Sequence, residues 1–147
     1  MSNPTALNFG FPRTKVAETD LWVVLVRPKQ PTFGSLVLIC KEPARSLAEL
    51  SVEAYADLQQ AVQQIEAMLR AVVDHQKINY LALMMVDPDV HFHVIPRYEG
   101  VREHEGRVFR DAGWPAVPNL AETVELDMDA ASRLADHLRK QWRGASA

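Results

Sequence analysis

The chain has 147 residues, 48% of them hydrophobic and 24% charged, a balance that excludes a disordered chain and one embedded in a bilayer. Its length suits one ordinary domain, expected to span 1–147 with a core over about 20–115. The formal net charge of -3 excludes a general attraction to nucleic acid or to an anionic membrane surface, so a phosphorylated ligand needs a local group of cations.

In chain order, the opening MSNPTALNFGFPRTK lacks the long apolar run of a signal peptide, and no later stretch approaches bilayer length, so a cytoplasmic protein is expected. Residues 6–18 read as irregular chain with one short strand, punctuated by Gly10 and Pro12. Leu21–Val26 is rich in branched residues and predicts a strand closed by Pro28 and Pro31. Gly34 opens a second strand, Ser35–Lys41, antiparallel to the first. Within it lies Cys40, the only cysteine, expected to be a buried structural thiol with no disulfide partner in the chain.

Ser51 offers an N-cap and Glu53 a negative charge in the first helical turn. From there Tyr55, Leu58, Val62, Ile65, Leu69 and Val72 follow helical spacing, which predicts an amphipathic helix to about Asp74 packed on the sheet. Ile78–Val86 is apolar almost throughout and predicts a third strand, broken by Asp87-Pro88 in a very tight connection to the next. Arg102, His104, Arg107 and Arg110 fall in a polar loop, and the tail from Asp127 or Asp129 to Trp142 predicts a second helix with Leu134, Leu138 and Trp142 on one stripe. Strands grouped around one long helix, with a late helix, make the fold class α+β with an antiparallel sheet.

The chemistry concentrates in Asp89-Val90-His91-Phe92-His93-Val94-Ile95-Pro96-Arg97. Strand side chains alternate between faces, so Asp89, His91 and His93 project the same way from a segment otherwise built to be buried. An imidazole titrating near neutrality can act as nucleophile, general acid or metal ligand, and a carboxylate beside it can orient or charge it. Asp87 either orients one of the imidazoles or only shapes the Asp-Pro turn. A structural histidine pair and a metal site built from His91, His93 and Glu99 are the competing readings. Trp114-Pro115 offers either a stacking lid for a base or a packed core residue. His75, His104 and His137 read as surface residues.

The strand pair around a glycine turn, the long helix, and the strand ending His91-Phe92-His93-Val94-Ile95-Pro96-Arg97 together resemble the histidine triad (HIT) family of nucleotidyl hydrolases and transferases, over about Leu21 to Trp114. The resemblance implies a HIT-like antiparallel sheet, a nucleotide as partner and commonly a homodimer. It implies that His91 attacks an α-phosphorus, that the backbone carbonyl of Asp89 holds the His91 ring, and that His93 contacts the phosphate and helps protonate the leaving group. The covalent step needs no metal cofactor, although a divalent cation can accompany a polyphosphate substrate.

Four departures from the family pattern mark this chain. Asp89 takes the place of the first motif histidine, and Gly34-Ser35 stands where the family has Gly-His. A hydrogen-bonded Asp89–Ser35 pair is therefore expected. The loop before the motif is cut to Asp87-Pro88, and Arg27 falls where many members touch the ribose with an asparagine. Arg27 and Arg97 are the candidate contacts to ribose or phosphate. Dinucleoside polyphosphates and nucleoside phosphoramidates are the expected substrates, the alternatives being a non-catalytic nucleotide-binding module or a transferase with an acceptor other than water.

Overall fold

A computed structural model describes residues 3–142. In chain order the elements are α1 (Pro4–Asn8), β1 (Lys15–Glu18), β2 (Trp22–Val26), β3 (Lys29–Gln30), β4 (Leu36–Cys40), a 3-10 turn at Leu47–Glu49, α2 (Val52–Val72), β5 (Lys77–Leu81), β6 (His91–Arg97), β7 (Val101–His104), β8 (Arg107–Arg110), β9 (Val124–Glu125) and α3 (Met128–Arg139). Five strands form an antiparallel sheet in the order β1-β2-β4-β6-β5. The α+β class with an antiparallel sheet, a long helix and a late helix is the architecture observed.

Register assigns the two faces of the sheet. Trp22, Val24, Leu36, Leu38, Cys40 and Val94 face α2 and α3 and build the main core, which excludes water and supplies most of the folding drive. Cys40 is buried there as a free thiol, and burial raises its pKa. The opposite face carries Val23, Leu25, Val37 and Ile39, covered by Ala6 of α1 and by Phe9 and Phe11. The histidines lie on this second face, because His91 pairs with Ile39 and His93 with Val37.

Helix α2 starts where Ser51 predicts, its side chain accepting from the Ala54 N–H. Its buried stripe is rotated from the expected one: Ala54, Ala61, Ile65, Met68 and Leu69 face inward, while Tyr55 is exposed and its hydroxyl donates to the Leu47 carbonyl. Small alanines allow close approach to the sheet, where Trp22 Nε1 donates to the Ala54 carbonyl at 2.8 Å. Gly34 has φ +85, and a Cβ there would sit 2.7 Å from Val73, so this turn requires glycine. Helix α3 ends at Arg139, with Trp142 buried just beyond it.

Three segments differ from expectation. Pro4–Asn8 is a helix, signalled by Asn3 as N-cap and proline in the first turn. The third strand stops at Leu81; Ala82–Val90 is an irregular connection in which Leu83, Met85 and Val86 are 46%, 84% and 92% exposed. Apolar composition alone suggested a strand there, but Met84 sits at φ 42 and Pro88 has no N–H to pair. The polar loop after Arg97 is a β7–β8 hairpin, turned by Glu105 and Gly106 at φ 50 and 77, the left-handed pair that a tight hairpin needs.

Candidate active site

The imidazoles stand where β6 loses a neighbour. The β5 pairing ends at Leu81 opposite His93, so the flank of β6 beside His91 is free while β4 continues on the other side. The His91 and His93 rings lie 5.1 Å apart, nearly edge to face at 78°. Both are buried, at 2% and 7% exposure. Phe9 lies over the pair, 6.2 Å from the His91 ring and 5.9 Å from that of His93.

His91 Nδ1 lies 2.6 Å from the Asp89 carbonyl oxygen. A carbonyl only accepts, so Nδ1 carries a proton, and in the neutral ring Nε2 is the nitrogen that keeps its lone pair. That tautomer suits attack on an electrophile. The contact belongs to the Asp89 backbone and survives any side chain at this position.

Asp89 itself is buried, and its carboxylate accepts from the Thr5 hydroxyl at 2.9 Å and the Thr5 N–H at 3.4 Å. The expected pair with Ser35 does not form. Ser35 lies beside the Leu36–Val94 register pair, six residues along β6 from Asp89, about 20 Å at strand rise. Its hydroxyl instead closes the turn before β4 by donating to the Thr32 carbonyl at 2.8 Å.

Arg97 also leaves the candidate contact set. It lies four residues beyond His93, about 13 Å along the strand. All of its nitrogens are engaged: Nε and Nη2 donate to Asp111, Nη1 to Asn79 and Nη2 to the Ala116 carbonyl. It clamps 111–116 onto the sheet. Trp114 borders clefts formed with Gln30 and Val108 on one side and with the β5 edge on the other, and neither cleft is lined by an imidazole.

Arg27 follows β2 and leans toward the site. Its Nη1 donates to the Lys29 carbonyl at 2.5 Å, and its buried Nε has no partner among the described residues. Burial lowers its pKa, and its charge acts on His93. Asp87 accepts from Asn8 at 2.7 Å rather than holding an imidazole. Glu99 is exposed past the far end of β6, and among the described residues no group of three His, Cys, Asp or Glu side chains could hold a metal ion.

Burial, reinforced by the Arg27 charge and by the neighbouring His91 and opposed by Asp87, pushes the His93 pKa down to about 4, and its buried Nδ1 lacks a partner among the described residues. His93 is therefore neutral near pH 7. The unfolded chain takes up this proton near the ordinary value of 6.5, whereas the folded chain does so only near 4. The stabilising contribution is thus complete above pH 6.5 and is lost as pH falls towards 4. The expected loss is up to about 2–3 kcal/mol. Urea unfolding across this range should show a shallower pH dependence in His93→Gln; an unchanged slope would remove His93 as the titrating group.

His104 and His75 are half-buried rather than surface residues, and burial lowers both pKa values. Arg102 is not solvated either. It caps the end of α2 by donating to the Val73 and Asp74 carbonyls. Thr5 and Phe9 were missed as site residues, since nothing in a short N-terminal run announces contact with a strand more than eighty positions later.

Comparison with known proteins identifies the family and the fold. Residues 9–100 match the HIT domain family, beginning ahead of Leu21 and so including Phe9. A histidine triad protein from Bradyrhizobium japonicum is 23% identical over 87% of this chain and 89% of its own, with a TM-score of 0.68. A histidine triad protein from Sinorhizobium meliloti is 20% identical over 88% and 90%, also at 0.68. The Plasmodium falciparum diadenosine triphosphate hydrolase, solved with Cyclomarin A, is 12% identical over 88% and 76%, at 0.63. Among curated proteins there is no significant match. At these identities the structures establish the fold, and the family match over most of the chain settles membership: the chain belongs to the histidine triad (HIT) domain family.

Proposed function

We propose that this chain hydrolyses or transfers a nucleoside monophosphate group, taken from a phosphoanhydride or a phosphoramidate, through a covalent bond to His91. The observation that carries the reading is the 2.6 Å contact from His91 Nδ1 to the Asp89 carbonyl, which fixes the tautomer with a free Nε2. In the first step the Nε2 lone pair forms a bond to the α-phosphorus, and the bond from phosphorus to the leaving oxygen or nitrogen breaks. The phosphorylated imidazole is cationic, and its Nδ1–H remains held by the carbonyl. In the second step water adds at phosphorus, the P–N bond breaks, nucleoside monophosphate leaves and the water proton passes to solvent. A different acceptor makes the chain a transferase.

His93 is neutral in the closed site, so the arriving phosphate supplies the negative charge that favours its protonation and its donation to a phosphate oxygen or leaving group. Arg27 contributes a cation beside it, a role supported by its Nε, which has no partner among the described residues. A homodimer belongs to the same reading, supported by the outer edge of β5, which lies at the border of the sheet.

The test is product analysis after mixing the protein with dinucleoside polyphosphates and nucleoside phosphoramidates, the former with and without a divalent cation. Release of nucleoside monophosphate supports the reading. Binding of the same nucleotides with no turnover on any member of the panel would replace it with that of a nucleotide-binding module.

A further inference from the structure

The two imidazoles are almost without solvent contact, yet a nucleophile has to meet its substrate. What closes the site is local and small. Helix α1 has five residues, and the Phe9 ring that follows it lies over both histidines. Two carboxylates at the start of the histidine strand fasten this segment down. Asp89 accepts from the Thr5 hydroxyl and N–H within the protein, and Asp87 accepts from Asn8 at the surface.

The fastening differs in kind from the packing on the other side of the sheet. Leu7 is 55% exposed and Asn8 is exposed, and the segment's apolar packing is confined to Ala6, Phe9 and Phe11 on Val23, Leu25, Val37 and Ile39, a cluster far smaller than the main core. Its second anchor, Asp87, belongs to the irregular Ala82–Val90 connection, which exposes Leu83, Met85 and Val86. Both halves of the closure thus depend on polar bonds and on an apolar cluster much smaller than the main core, the signature of a region that opens without global unfolding.

We propose that Asp89 and Asp87 form a clasp that holds α1 and Phe9 as a releasable cover on the histidine pair, so that ligand reaches His91 only when the Thr5 and Asn8 bonds let go. Asp89 then acts as a positioning residue through its side chain, while its backbone carbonyl orients His91. The closed form lowers the fraction of molecules competent to bind, and loosening the clasp raises the apparent affinity. The arrival of a nucleotide rests on the function proposed above. The accessibility of the imidazoles does not.

The experiment measures diethyl pyrocarbonate modification rates residue by residue, with peptide mass spectrometry as readout and exposed His137 as the internal reference. Thr5→Val removes the buried hydroxyl, Asn8→Ala removes the surface bond with little risk to folding, and Thr5→Ser keeps the donor. The expected result is modification at His91 and His93 slower than at His137 in the unaltered protein, accelerated about 5-fold or more by Thr5→Val and by Asn8→Ala, with Thr5→Ser near the original rate. Unchanged rates at both histidines in the first two variants would overturn the clasp, as would equal acceleration at His137, which would mean general loosening. Acceleration confined to His91 and His93 in a protein that releases no nucleotide would keep the cover and reject the reaction.

Discussion

His91→Gln is expected to lower nucleotide turnover by at least about 10³-fold, because among the described residues no other group on this face offers a ring nitrogen held in a fixed tautomer. Glutamine retains a polar side chain of similar reach, so the circular dichroism spectrum should remain that of the unaltered protein. The loss should fall on kcat, since the side chain acts on a bond made only along the reaction path. His93→Gln should cost less, because it removes a phosphate contact and a proton donor while leaving the nucleophile in place. Steady-state kinetics on any substrate that the panel identifies decides the point. Near-full activity in His91→Gln would exclude this histidine as the nucleophile.

The largest stability effect is expected at the other end of the same strand, from Asp111→Ala. Arg97 Nε meets Asp111 Oδ2 at 2.6 Å, with side-chain exposures of 4% and 1%. The same carboxylate also accepts from Arg97 Nη2 at 3.1 Å and the Tyr98 N–H at 3.3 Å. Removing it leaves a guanidinium buried beside Asn79 without its counter-charge, which should cost about 3–5 kcal/mol, a large part of the usual 5–15 kcal/mol of a domain. Replacing both partners with apolar residues of similar size should cost less than Asp111→Ala alone, because no unpaired charge remains. Urea denaturation measures both. A loss below about 1 kcal/mol in Asp111→Ala would show that the pair is dispensable.

Much of the fold was legible because it is written locally. β2 and β4 are short branched runs bounded by proline and glycine, and α2 and α3 show helical spacing behind capping residues at Ser51 and Asp127. The histidine row was legible for the same reason, since alternation along one strand suffices to put His91 and His93 on one face. The errors arose where partners are distant. Arg97 read as a phosphate ligand because its counter-ion lies fourteen positions on, and Ser35 read as a partner of Asp89 because alignment carries no register. The cover over the site depends on a Thr5–Asp89 contact across most of the chain. Apolar composition misled at Leu83–Val86, where left-handed backbone at Met84 and exposure to water prevail over strand propensity.

Whether Nε2 of His91 carries the nucleotide is settled by trapping the reacting protein at short times and locating the phosphorus by peptide mapping and phosphorus-31 NMR. The expected result is an acid-labile nucleoside monophosphate bound to His91 Nε2 and absent from His91→Gln. Attachment to His93 or to any other residue, or turnover with inversion at phosphorus and no adduct, would contradict it.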